Sequence, residues 1–208
     1  MPKSGGWRAI VREWGPRAVF ESLLIVLSIV LALALSQLAI NMQTEARVRE
    51  ARDYFVQEIR ANRAILVADD IIPHHRRLHG LVAALNFDHP ISRAASESAR
   101  NALFATGIHV APLRDVVWRT YSGGELMEHI PPHVSFALND AYRAQDQLAA
   151  LQNSYYPVLS QLPAQMLTSD DLRGPLISLQ LHLGDLIGSE ESLVSRYDAA
   201  LAALGEQP

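Results

Sequence analysis

A chain of 208 residues with 49% hydrophobic content is long enough for one helical domain with accessories and too short for two large ones. Its formal charge of −4 is unevenly spread: residues 1–18 hold Lys3, Arg8, Arg12 and Arg17 against Glu13 alone, whereas residues 42–208 hold 14 arginines against 20 acids. The acidic body excludes nucleic acid as the main partner, since phosphate binding needs a concentrated basic face, and the absence of cysteine excludes a disulfide framework and thiolate chemistry.

The basic tail suits an anionic membrane surface. Within it Trp7, Ile10, Val11 and Trp14 recur at i, i+3, i+4 and i+7, with Arg8 and Arg12 on the other side. A short helix lying in a membrane interface is built this way, and tryptophan favours that depth. Trp7, Arg8, Arg12 and Trp14 are therefore candidate interface anchors. A disordered basic tail with two unrelated tryptophans is the competing reading. Gly15-Pro16 is expected to break the chain before the next element.

Residues 22–44 contain no charge. As a helix, residues 19–40 would be about 33 Å long at roughly 1.5 Å per residue, close to the hydrocarbon thickness of a bilayer. A soluble core helix of that length would carry a polar stripe, and here apolar residues occupy nearly all faces. A cleaved signal is the stronger competitor, because Ala32-Leu33-Ala34 offers small residues at A-x-A spacing. That tripeptide lies inside the apolar run, which continues through Leu35, Leu38, Ala39 and Ile40, and an uncleaved transmembrane anchor over 19–41 is the better reading. Both flanks carry arginines, among them Arg47, Arg49, Arg52 and Arg60 after the span. The short basic tail resists translocation, while a large domain with interleaved acids crosses with less regard to charge. The expectation is a cytoplasmic tail over 1–18 and, in a bacterial cell, a periplasmic body over 42–208. Ser28, Ala32 and Ser36 share one face of the span at i, i+4 and i+8, with Glu21 one heptad before Ser28. Together they make a candidate transmembrane interface with a second helix.

After residue 42 the positions Val48, Arg52, Phe55, Ile59, Asn62 and Leu66 alternate spacings of four and three, predicting one long amphipathic helix over 43–70, continuous with the anchor and ended by Pro73. A helix over 74–87 should turn back, Asp88-His89-Pro90 makes a turn, and Ser92 caps a helix over 93–106. Short helices over 113–121 and 124–129 follow. Pro131-Pro132 precedes a helix with Val134, Leu138, Tyr142, Leu148 and Leu151 on its apolar side, and Pro157 and Pro163 are expected to interrupt the chain beyond it. Ser169-Asp170-Asp171 should cap a terminal helix reaching about residue 204. No segment alternates as a strand. The fold class is all-α: an N-terminal transmembrane helix continuing into a long amphipathic helix and a periplasmic helical bundle, with Trp118 anchored in the core.

The run Phe20-Glu21-Ser22-Leu23-Leu24-Ile25-Val26-Leu27-Ser28, followed by LALAL over 31–35, resembles the anchor of a family of uncharacterised bacterial single-pass inner-membrane proteins. In these a basic tail precedes an E-S-L-L-I-V-L-S type span, an arginine-rich helix and a helical domain. The likeness extends to EIRANRAIL over 58–66 and to Arg196-Tyr197-Asp198. Where similar proteins often carry an acid and a tryptophan, this chain has Gln37-Leu38. The resemblance implies a topology and supplies no activity.

The most suggestive chemistry is HHRRLH, where His75 and His79 are four apart and able to share an ion from one helix face. The run lacks the glutamate of H-E-x-x-H, and Arg76-Arg77 repel a cation, so an exposed polar face is expected there and no metal site. His129 and His133 are split by Pro131-Pro132. Asp69-Asp70 reads as solvated and Asp170-Asp171 as capping. Tyr121-Ser122-Gly123-Gly124 is no nucleophile elbow, and no glycine-rich phosphate loop or cofactor motif is present. No enzyme is expected. Two classes remain: a non-catalytic interaction or scaffold protein, whose partners are the bilayer and an envelope protein or a second copy, and a membrane-tethered sensory or small-molecule-binding helical domain.

Overall fold

A computed structural model describes the backbone of residues 6–68 and 71–206, and side chains over 19–68 and 71–206 apart from 156, 158, 159 and 163. Among these residues all regular structure is helical: α1 (Gly6–Val67), α2 (Ile72–Ala83), α3 (Glu97–Thr106), α4 (Val116–Tyr121), a 3-10 turn (Glu125–His129), α5 (Pro132–Thr168) and α6 (Arg173–Ala203). The chain divides into two compact units, Met1–Arg49 and Glu50–Pro208.

In the first unit α1 runs through Gly15-Pro16 without the expected break. A proline inside a helix gives up one amide hydrogen bond, and the ladder on both sides of Pro16 holds the helix together. The side chains of Trp7, Arg8, Arg12 and Trp14 lie outside those described. Farther along, α1 holds an 18-residue window of mean hydropathy 2.7 with none of it buried, long and apolar enough to cross a membrane. Its large apolar side chains between Val19 and Met42 are all at least 44% exposed. The polar groups in this stretch close on their own helix: Ser28 Oγ donates to the Leu24 carbonyl at 2.7 Å and Gln37 Nε2 to Asn41 Oδ1 at 3.0 Å. Such local bonds remove donors that an apolar surrounding would leave unsatisfied.

The second unit is organised by the stripe that the three-four spacing predicts. Ala51, Phe55, Ile59, Asn62 and Leu66 of α1 are fully buried. α6 contributes Leu176, Leu179, Leu183, Leu186, Leu193 and Tyr197, and packs against α5 and α2. Where α2, α3, α5 and α6 meet, Leu78, Val82, Leu103, Leu162, Met166 and Leu183 belong to one apolar cluster. Each such side chain contributes about 1.5–3 kcal/mol by leaving water. Around Phe55, Trp118 stacks on Tyr142 with centroids 5.0 Å apart, so the half-buried tryptophan is anchored as the sequence suggests.

The boundaries shift in ways that follow from local chemistry. Pro73 lies in the first turn of α2, where its missing N–H costs nothing, instead of preceding the helix. α3 starts at Glu97, because Ser92 Oγ accepts the Ala95 amide in a preceding turn. α5 passes through Pro157 and Pro163 uninterrupted. The buried faces on either side, with Leu148, Leu162 and Met166, outweigh the bonds the prolines remove. At the start of α6 it is Asp171 that works: Oδ1 accepts the amides of Arg173 and, across the fold, Ile91 at 3.0 and 3.1 Å. These bonds hold its carboxyl below the usual range. The far end closes with the paired bonds of a Schellman turn, Gly205 N to Ala202 O and Glu206 N to Leu201 O, with Gly205 at φ +81°. Arg52 Nη2 then donates to the Leu204 carbonyl at 2.8 Å, and Arg60 and Arg63 pair with Glu206 and Asp198.

Candidate functional site

Three groups of polar side chains sit inside the second unit, and their geometry separates fastening from binding. In the first, Asn62 of α1 clasps the backbone of Arg114: its Oδ1 accepts the amide at 2.8 Å and its Nδ2 donates to the carbonyl at 2.6 Å. Gln145 of α5 donates to the same carbonyl, and its Oε1 takes the Tyr197 hydroxyl at 2.5 Å. One turn away Glu58 accepts the Tyr142 hydroxyl at 2.7 Å and the Val117 amide at 3.1 Å. Burial pushes both phenols up, so they remain neutral donors. With its polar groups satisfied, this network fixes the connection before α4 to α1.

The second group overturns an expectation. His75 is fully buried, not part of an exposed polar face, and its Nδ1–H donates to the equally buried Glu190 at 3.1 Å from both carboxylate oxygens. Outside it Arg76 pairs with Glu191 at 2.6 Å. Thus α2 and α6 are joined by a charged pair on the surface and a polar pair beneath. The Nε2 of His75 has no hydrogen-bond partner. His79 is half-buried on the next turn, and no group of three His, Asp or Glu that could hold a metal occurs among the described residues. The missed signal lies in the spacing: Ile71, His75, Leu78 and Val82 follow an apolar stripe, as do Leu183, Leu186, Glu190, Leu193 and Tyr197. A polar residue on such a stripe is buried with its neighbours.

The third group frames a cavity of about 230 Å³. Leu103, Leu162 and Leu186 form apolar wall, while Gln152 and Tyr155 of α5 supply polar atoms. One side is the chain that leaves α3, residues 107–110, turned by Gly107 at φ +69°. That segment is held from α2: His74 Nε2–H donates to the Gly107 carbonyl at 2.8 Å, and the His109 ring stacks on His74 with centroids 4.2 Å apart. The Tyr155 hydroxyl donates to Asp185 at 2.8 Å and is pushed up to about 12, first by burial and then by this carboxylate. Gln152 Nε2 is buried and has no hydrogen-bond partner. Sequence reasoning missed this site. Its trace is Gln152 at the i+4 position after Leu148, on the apolar side of α5.

His74 gives the cavity rim a pH dependence. Desolvation holds its pKa below the ordinary 6.5, ahead of the opposing bond to Gly107 and the repulsion from His109, His75 and Arg77. The unfolded chain therefore binds this proton more readily than the folded one. The stability it confers is complete above 6.5 and is lost as pH falls from there to the lower folded value. In denaturant unfolding of the full chain at pH 7.5, 6.5 and 5.5, His74→Gln should show a shallower loss than the native protein, since glutamine keeps a donor and does not titrate. Equal slopes would mean that His74 stays solvated.

The residues of the candidate transmembrane interface are placed by the helix itself. Glu21, Ser28, Ala32 and Ser36 are all exposed on α1. Because the Ser28 hydroxyl is committed to Leu24, what Ser28 offers a neighbouring helix is small size more than a hydrogen bond. No protein-family model matches the chain, nor does any curated protein or solved structure.

Proposed function

We propose that this protein is a single-pass membrane protein whose apolar helix anchors an acidic helical bundle, with the basic tail cytoplasmic and, in a bacterial envelope, the body periplasmic at the inner membrane. The observation that carries the reading is the window of mean hydropathy 2.7 with no residue buried. In water an uncovered surface of that size is strongly unfavourable, and in a bilayer it is favourable. The likeness of residues 20–35 to E-S-L-L-I-V-L-S type anchors supports it. The role is non-catalytic: the body presents a surface to an envelope partner or to a second copy, through the span, the bundle or both.

The test combines topology with association. A reporter active only in the periplasm, fused after Pro208, should work, and the chain should stay with membranes through carbonate washing. Crosslinking in intact membranes should capture one stoichiometric membrane partner or a second copy. Ala32→Ile should weaken that capture, by on the order of 1 kcal/mol, because it blocks close approach of a second backbone, while Leu31→Ile on another face should not. Release of a soluble form beginning near Leu35 would return the stretch to the signal reading. Equal capture of the two variants would leave it an anchor and nothing else.

A second reading, a tethered domain that binds a small molecule, is favoured by the cavity at Gln152 and Tyr155. Cavities between helices are where such domains hold ligands.

A further inference from the structure

We propose that the cavity beside Gln152 binds a small uncharged molecule, somewhat larger than benzene, whose oxygen accepts a hydrogen bond from Gln152 Nε2; the inference rests on the binding reading and specifies its ligand. Three observations carry it. The first is an inventory of donors. Tyr155 gives its hydroxyl to Asp185, Ser160 gives its own to the Pro157 carbonyl at 2.8 Å, and His109 Nε2 lies 3.1 Å from the Thr106 carbonyl. Among the described side chains of the lining, Gln152 Nε2 is a nitrogen that is buried and without a partner. A buried amide left in that state is destabilising, and an acceptor delivered by a ligand removes the penalty.

The second observation is charge. Among the described residues no Lys, Arg, Asp or Glu lines the cavity, and Leu103, Leu162 and Leu186 are all at most 8% exposed. An ionised carboxylate would lose hydration there and find no Lys or Arg to pair with, and Asp185 behind the Tyr155 hydroxyl would repel it, which selects against anions. The third is size. A cavity of roughly 150 Å³ lined by apolar side chains accepts benzene, and about 230 Å³ leaves room for a ring with a short substituent. The rim is not left to chance, since His74 clamps the Gly107 carbonyl and stacks on His109, shaping the cavity before a ligand arrives.

Acetophenone, cumene and benzoate have equal numbers of non-hydrogen atoms and differ in what they offer Gln152: an uncharged acceptor, no acceptor, and an acceptor with charge. Each is titrated into the ¹⁵N-labelled full-length chain in detergent micelles, the amides are followed individually to locate the site, and affinities are referred to the free aqueous concentration measured in each sample so that partition into the micelle does not enter. Acetophenone should shift the Gln152 side-chain amide together with the backbone amides of Leu103, Gly107, Ile108 and Leu186. It should bind about tenfold more tightly than cumene, the effect of one well-made hydrogen bond to a buried group, and benzoate should bind more weakly than acetophenone. Gln152→Met should make acetophenone and cumene equal, and Gln152→Leu, which likewise offers no donor, should do the same. If none of the three shifts these amides, the binding reading falls and this proposal with it. If acetophenone and cumene bind the native chain equally, or the preference survives in both variants, the cavity is a binding site but the assignment to Gln152 is wrong.

Discussion

Glu190→Ala should destabilise the full-length protein by about 3–5 kcal/mol in reversible denaturant unfolding in detergent. The reason lies in what is left behind. His75 and Glu190 have no exposed surface, and His75 Nε2 is already without a partner, so the truncation strips the imidazole of its one hydrogen bond in a place that water does not reach. Removing both members is a different experiment. His75→Leu with Glu190→Leu replaces the polar pair by side chains that match their neighbours Leu78, Val82, Leu186 and Leu193, and should recover most of the loss. The coupling between the two positions is then the measured quantity. A loss below about 1 kcal/mol for Glu190→Ala would mean that solvent enters between α2 and α6.

Ile29→Arg with Leu33→Arg should release the protein from carbonate-washed membranes. Each arginine near the middle of a span opposes insertion by about 2.5–3.5 kcal/mol, so the pair opposes it by roughly 5–7 kcal/mol, as much as about ten or more Leu, Ile, Val or Phe side chains favour it at roughly 0.3–0.6 kcal/mol each. Both positions are exposed on α1, in a window none of whose residues is buried inside the protein. The second unit should therefore keep its unfolding transition while its membrane partition changes. Unchanged retention after carbonate washing would show that something other than residues 19–42 holds the protein to the membrane.

How much of this was legible depended on whether a residue's burial was set by its own chemistry or by its place on a stripe. The apolar window and the α1 stripe are repeated signals, with many residues saying the same thing, and both were readable. Single polar residues on a stripe were not. His75 was read with its neighbours Arg76 and Arg77, which share its sequence but not its helix face, and Glu190 was passed over among the polar residues of 189–192. Reading His75 against Leu78 and Val82 places it inside. The prolines failed for the opposite reason. Pro16, Pro157 and Pro163 carry a strong local preference, and a helix whose other turns are well supported overrides it. The cavity needs α3, α5 and α6 to be placed in space, which no spacing along one helix supplies. A partner-binding surface and a cavity between helices are likewise built from side chains far apart in sequence, so neither leaves a motif.

The arginines of α1 that reach the end of α6 set a timetable for folding. Arg52 waits for Leu204 and Arg60 for Glu206, contacts separated by 152 and 146 residues. At roughly 5–20 residues per second, synthesis places on the order of 10 s between the appearance of the α1 stripe and that of the segment that ties it down. Through that interval Arg52 and Arg60 have no carbonyl or carboxylate at the end of α6 to hold, and Phe55 lacks even its aromatic neighbours Trp118, Tyr121 and Tyr142 for part of it. Pairings this distant can close only after nearly the whole chain has been made. The vulnerable period of this fold is measured in seconds of biogenesis, long before the finished molecule meets any denaturant.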